Sequence, residues 1–185
     1  MTSDLTWHEH VSYTVGRVNK VIWQLTRFKR YGAPQEKLVT FYILKIRSIL
    51  MFGAVCFHSS ISSELSQKLE LQQKRSLAII VGSRYRSYTQ TLALLELPRL
   101  DNLREKASLK WALKSQLNPQ HAGLFLLNQC SVNTRSKMKF QEYFCHTTKF
   151  YNSAVPHMTR ALNSHNAAKP DKYIITTNSG IVITV

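Results

Sequence analysis

Apolar positions recur along most of this chain at the helical period rather than the strand period. Val11, Val15, Val18, Ile22, Leu25 and Phe28 step by three and four residues, the stripe of an amphipathic helix. Thr6 and Glu9 precede it at capping-box spacing. Arg27, Lys29 and Arg30 fall at its C-terminal end, where cations complement the helix dipole, and Tyr31-Gly32 stops it. Pro34, a first-turn proline, opens a second helix over 35–57. Its face of Val39, Tyr42, Ile43, Ile46, Ile49, Leu50 and Gly53 becomes apolar all round near Ile49, which predicts the most buried helix. Gly53 and Ala54 are small enough to let a neighbouring backbone approach. A serine in the polar run 58–63 caps a third helix, with Glu64 in its first turn. Leu65, Leu69, Gln72, Ser76 and Ile80, widened by Leu77 and Val81, form its inward stripe. Lys68, Lys74 and Arg75 lie off that stripe, and Gly82 suits a left-handed end before the basic loop of Arg84, Tyr85 and Arg86.

Farther on, a short helix over 88–95 ends at Leu97-Pro98. Asp101 caps the next, with Leu103, Ala107, Leu109, Trp111 and Leu113 as its apolar set, and Asn118-Pro119 breaks it. A turn or short helix over 121–127 carries Leu124, Phe125 and Leu127. From Cys130 to Tyr151 the helical period disappears. Arg135, Lys137, Lys139 and Lys149 alternate with Phe140, Tyr143, Phe144, Phe150 and Tyr151. This extended arm has two readings: cations neutralise phosphates while rings stack on bases, or the rings anchor the arm to the helical core. A short helix over 156–162 comes next. Beyond Asn163 the β-rich runs 173–177 and 181–185 flank Asn178-Ser179-Gly180, a hairpin signal foreign to the rest. The expected fold is all-α: a bundle of about five or six helices, an extended basic-aromatic arm and a short C-terminal hairpin. The expected division is a helical domain over 1–127, the arm with its terminal helix over 128–163, and an unrelated tail over 164–185.

Charge adds a partner to this picture. Among 185 residues, 25 Lys and Arg face 10 Asp and Glu, a formal net charge of +15 and a pI near 10.0. Such an excess favours a polyanion, nucleic acid before an anionic membrane surface. The longest apolar run, Ile49 to Phe57, is far short of the ~20 residues that span a bilayer. Three cysteines make no disulfide framework, and the first residues lack a signal peptide's basic and apolar regions. An intracellular chain, cytoplasmic or nuclear, is expected.

Candidate chemistry narrows the function further. His8 and His10 are two residues apart, not the four that put two ligands on one helix face. Cys130, Cys145, His146 and His157 lack any C-x2-C pair, and Cys56 reads as a core filler. There is no Gly-rich phosphate loop and no nucleophile elbow. The ten acids are scattered with no two adjacent, which offers no cluster for two-metal phosphoryl chemistry. No metal, cofactor, small-molecule substrate or catalytic residue is expected.

Several segments are familiar in order. DLTWHEHV, LTRFKRYGAPQEKLVTFYILKIRSILMFGAVCFH and LQQKRSLAIIVGSRY, followed by LPRLDNLREKASLKWALKSQLNPQHAGLF and NTRSKMKFQEYFCHTTKFYNSAVPHMTRALN, resemble the region after the palm in non-LTR (LINE-like) retrotransposon reverse transcriptases. The likeness covers Asp4 to Asn163. It departs where the family has a glutamate-tyrosine pair and then proline-valine-tryptophan-histidine: Met51, Phe52, Val55, Cys56, Phe57 and His58 stand there. The resemblance implies a thumb and post-thumb module of an RNA-directed DNA polymerase that grips an RNA–DNA or DNA duplex by its backbone. The palm, with its paired aspartates, would be a missing partner domain, and the chain would not be an enzyme alone. Candidate nucleic-acid contacts are Arg27, Lys29, Arg30, Lys74, Arg75, Arg84 and Arg86, with Lys137, Lys139, Phe140 and Tyr143 in the arm. The competing expectations are a structural remnant that needs the palm to fold, and an independent basic helical DNA- or RNA-binding protein.

Overall fold

The structure, a computed structural model, describes residues 6–128 and 139–168. It is all-α, with no strand among the described residues. Contacts divide the chain into two compact units, Met1–Ser108 and Leu109–Val185, whereas the change in sequence texture falls near 128. Lys137 and the hairpin signal over 173–185 lie outside the described residues.

The first unit is built on two long helices, α1 (His8–Arg30) and α5 (Ser63–Val81). α1 buries Val11, Val18, Ile22 and Leu25 of the expected stripe, with Thr14 added, while Val15 is half-buried and Phe28, near the helix end, is exposed. The capping box does not form. Trp7 occupies the N-cap in a left-handed conformation with no side-chain cap, and its ring packs 6.0 Å from that of Phe57. Aromatic packing, not a Thr6–Glu9 exchange, therefore fixes the entry of α1. α5 buries the whole predicted stripe together with Gln73, and the Ser62 hydroxyl caps it by accepting from the Leu65 amide. Gly82 ends it at φ 66, ψ −130, a positive φ but not the left-handed helical one.

The expected continuous helix over 35–57 is broken into pieces. α2 (Gln35–Phe41) leads into a π-helical segment, Tyr42–Arg47, and then α3 (Ser48–Leu50). Gly53, at φ 70, turns the chain into α4 (Ala54–Phe57). The buried residues Leu38, Tyr42, Ile46, Leu50 and Ala54 recur every fourth position. In a regular α-helix each four-residue step overshoots a turn by about 40° and would carry that row off the core. The wider π turn takes up the drift. Gly53 does not admit a close backbone, because a Cβ there would meet nothing within 4 Å; it is needed for its positive φ. Nor is this the most buried stretch. Leu44 and Phe52 are exposed, and so is Cys56, which sits on the outward side of α4 while Ala54 and Phe57 turn inward.

α6 (Tyr88–Leu94) is capped by the Ser87 hydroxyl, and α7 (Leu100–Ser115) comes after it. Asp101 lies inside the first turn of α7 rather than capping it, and pairs with Arg99 at 3.0 Å. The expected apolar set of α7 is only half-buried. Leu100, Arg104, Ser108, Ala112 and Ser115 face inward instead. Arg104 is fully buried, and its Nη2 donates to the Ser66 hydroxyl at 2.6 Å. Its Nε and Nη1 have no hydrogen-bond partner among the described residues, and burial lowers its pKa. Near it, Glu70 accepts from the Tyr88 hydroxyl and, at 3.4 Å, from the Leu100 amide. Burial and that carboxylate push the Tyr88 phenol up, and burial does the same to Tyr42.

The second unit gathers the end of α7, a 3-10 turn at Ala122–Leu124, α8 (Thr148–Tyr151) and α9 (Ala154–Ala168). α9 outruns the predicted 156–162, passing through Asn163 without a break. Part of the arm is extended as expected: Leu127 and Phe140 form an isolated antiparallel bridge. Its end is helical, as α8, with the Thr147 hydroxyl as cap. Asn163 holds the Phe140 backbone from both sides, accepting from its amide and donating to its carbonyl at 3.0 Å each. Phe140 is buried, 6.5 Å ring to ring from Phe125.

Candidate nucleic-acid interface

Two acid-free stretches supply the basic end of the first unit: 10–35, which covers nearly all of α1, and 71–95, which covers the second half of α5, the basic loop and α6. Two hydrogen bonds register these helices. Arg75 Nη1 donates to Asn19 Oδ1 at 3.1 Å, and Lys29 Nζ donates to the Ile80 carbonyl at 3.0 Å. Both contacts advance toward the C-termini, so α1 and α5 run the same way and end together. Their orphan carbonyls and dipole ends make that end negative, which draws cations to it. Lys29 answers this need by capping α5. Arg84 reaches Gln35 Oε1 at 2.5 Å, which brings the loop after α5 against the start of α2.

The predicted residues thus separate into groups. Arg27, Arg30, Arg84 and Arg86 are exposed around the paired helix ends. Lys29 is half-buried and committed to the Ile80 carbonyl, and Arg75 is committed to Asn19 and Gln72. Lys74 is exposed on the outer side of α5. Lys139, Phe140 and Tyr143 belong to the second unit. Phe140 is closed to a stacking base because it fills that unit's core. Tyr143 donates its hydroxyl to the Leu124 carbonyl at 2.7 Å and packs edge-on to Phe150, so it acts as an anchor. The anchoring reading of the arm therefore describes both rings.

None of the ion pairs among the described residues touches the basic end: Glu64 holds Lys68, while Glu70 and Asp101 hold Arg99. No cluster of three or more metal-ligating side chains occurs among the described residues, and no helix there is long and apolar enough to cross a membrane. The outer face of α1 carries a feature absent from the expected contacts. Arg17 lies 5.8 Å from the Tyr13 ring centroid, and Arg27 lies 4.9 Å from that of Trp23 and 5.7 Å from that of Tyr31. Its signal was legible as aromatic–arginine pairs four residues apart on the side away from Val11, Val18 and Leu25.

Compared with family models, curated proteins and solved structures, the chain matches none.

Proposed function

We propose that this chain is a nucleic-acid backbone-binding module, of the kind its resemblance to the thumb and post-thumb of non-LTR retrotransposon reverse transcriptases implies, with no sequence specificity and no catalysis of its own. One observation carries the reading: Arg27, Arg30, Arg84 and Arg86 stand exposed where two parallel helices end, and no carboxylate pairs with them among the described residues. Exposed cations without carboxylate partners suit phosphates, and a duplex, RNA–DNA or DNA, presents its phosphates in a regular row. The palm of a polymerase would supply the metal-binding aspartates.

The test is a salt titration of binding to a labelled primer-template duplex. Each phosphate contact adds about 0.9 to the logarithmic slope. Replacing Arg27→Gln and Arg30→Gln together lowers the slope by up to about 1.8. An unchanged slope removes this end from the interface. A second reading, a remnant that needs a palm against it, draws on Leu44, Phe52, Leu71 and Leu94, all exposed in the first unit. A near-ultraviolet spectrum with no fixed aromatic signal, together with salt-insensitive binding, would favour it.

A further inference from the structure

α1 has a second face that its packing does not use. With 100° between successive residues, Val11, Thr14, Val18, Ile22 and Leu25 gather on one side, and they are the buried ones. Tyr13, Arg17, Lys20, Trp23, Arg27 and Tyr31 fall on the other. Tyr13, Trp23 and Tyr31 are 67%, 60% and 75% exposed, so their rings contribute little to the core. No acid interrupts the helix between His10 and Arg30. Along the axis the three rings stand about 15 and 12 Å apart, at 1.5 Å per residue.

We infer that this outer face of α1 binds single-stranded nucleic acid, with unpaired bases stacked on Trp23 and Tyr31 and the strand's phosphates met by Arg17, Lys20 and Arg27. This rests on the proposed nucleic-acid binding and names the form of strand that this face takes. Aromatic rings exposed on a cationic helix suit a partner that is anionic and also offers flat apolar faces. A single strand offers both, whereas a duplex closes its base faces by stacking and pairing. The arginines also set the rings. Arg27 lies beside both Trp23 and Tyr31 and donates to the Tyr31 hydroxyl at 2.8 Å, which restricts both rotamers before any base arrives. Less ordering then remains to be done on binding. The contacting guanidinium leaves the opposite ring face open.

The experiment compares binding of a labelled single-stranded oligonucleotide with that of an abasic strand of equal length and charge, for the full chain, over the same series of salt concentrations. The base-bearing strand is expected to bind at least about tenfold tighter and to quench tryptophan fluorescence. Trp23→Ala with Tyr31→Ala removes most of that ratio and leaves the salt slope in place, while Arg17→Gln with Lys20→Gln lowers the slope on both strands. Far-ultraviolet dichroism confirms that these exposed-face variants stay helical. Equal binding of the two strands, or a ratio that survives the double aromatic change, overturns the inference. Salt-sensitive duplex binding in that case leaves the backbone-binding reading standing, and no binding to any nucleic acid removes both. Tighter binding to anionic phospholipid vesicles than to the base-bearing strand assigns the face to a membrane surface and also overturns the inference.

Discussion

At the scale of single residues, Arg104 and Glu70 carry most of the risk. Taking a guanidinium out of water costs several kcal/mol unless a nearby charge compensates it. Arg104 has one hydrogen bond, to Ser66, so the compensation falls to nearby carboxylates, Glu70 first and Asp101 after it, whose fields oppose the effect of burial on Arg104. Glu70 is better held, by the Tyr88 hydroxyl and the Leu100 amide, with Arg99 at 3.9 Å. Unequal support predicts unequal costs. Glu70→Leu strands both Arg104 and the Tyr88 hydroxyl, and should lower stability by about 3–5 kcal/mol. Arg104→Met replaces a buried charge by an apolar chain of similar length, and should cost clearly less. Denaturant midpoints at constant m-value measure the difference. Equal losses would show that Glu70 is not the compensating charge. None of this was legible in sequence, because Arg104 sits among charged neighbours in the run Asp101 to Lys106 and reads as a surface residue.

Helices and their ends decide which cations remain free. Lys29 lies between Arg27 and Arg30, and the three look alike in the sequence. Only the parallel packing of α1 on α5 aims Lys29 at the Ile80 carbonyl and leaves its two neighbours outside. Lys29→Met keeps the methylenes and removes the charge from the end of α5. It should reduce stability by about 1 kcal/mol while leaving the nucleic-acid salt slope where it was. A slope that falls as it does on replacing Arg27 and Arg30 would return Lys29 to the interface. The α5 stripe was readable residue by residue because a regular helix repeats its period. The helix expected over 35–57 was not, because a row of every fourth residue fits the core only through the π turn, and the break depends on Gly53 adopting φ 70.

Across the first unit as a whole, two tyrosines report on whether it opens together. Burial raises the Tyr42 and Tyr88 phenols above the ordinary value of 10.0, and the hydrogen bond to Glu70 adds to this for Tyr88. A phenol whose folded pKa is raised stabilises the fold fully below the unfolded value. That stability is lost as pH climbs above it toward the folded value. Stability should therefore be insensitive to these groups up to about pH 10 and fall beyond it. Their phenolate absorbance should rise together with the loss of helicity, in one transition. Ionisation of all tyrosines before any helix is lost would show that Tyr42 and Tyr88 are not closed from solvent.

The sequence by itself determined the all-α class, the inward face of α5 and most of that of α1, the serine cap of α5, and the excess of positive charge. Each is a local property, set by the period of apolar residues, by side-chain competition for orphan amides, or by a count. Tertiary structure alone decided which polar groups go inside, since Arg104 enters the core where the Ser66 hydroxyl accepts from it and the field of Glu70 offsets its burial. It also turned Phe140 and Tyr143 into anchors, because their partners Phe125, Asn163 and Leu124 are distant in the chain. And it left the rings of Tyr13, Trp23 and Tyr31 in open solvent beside Arg17 and Arg27, because the core closes over the opposite side of α1 alone.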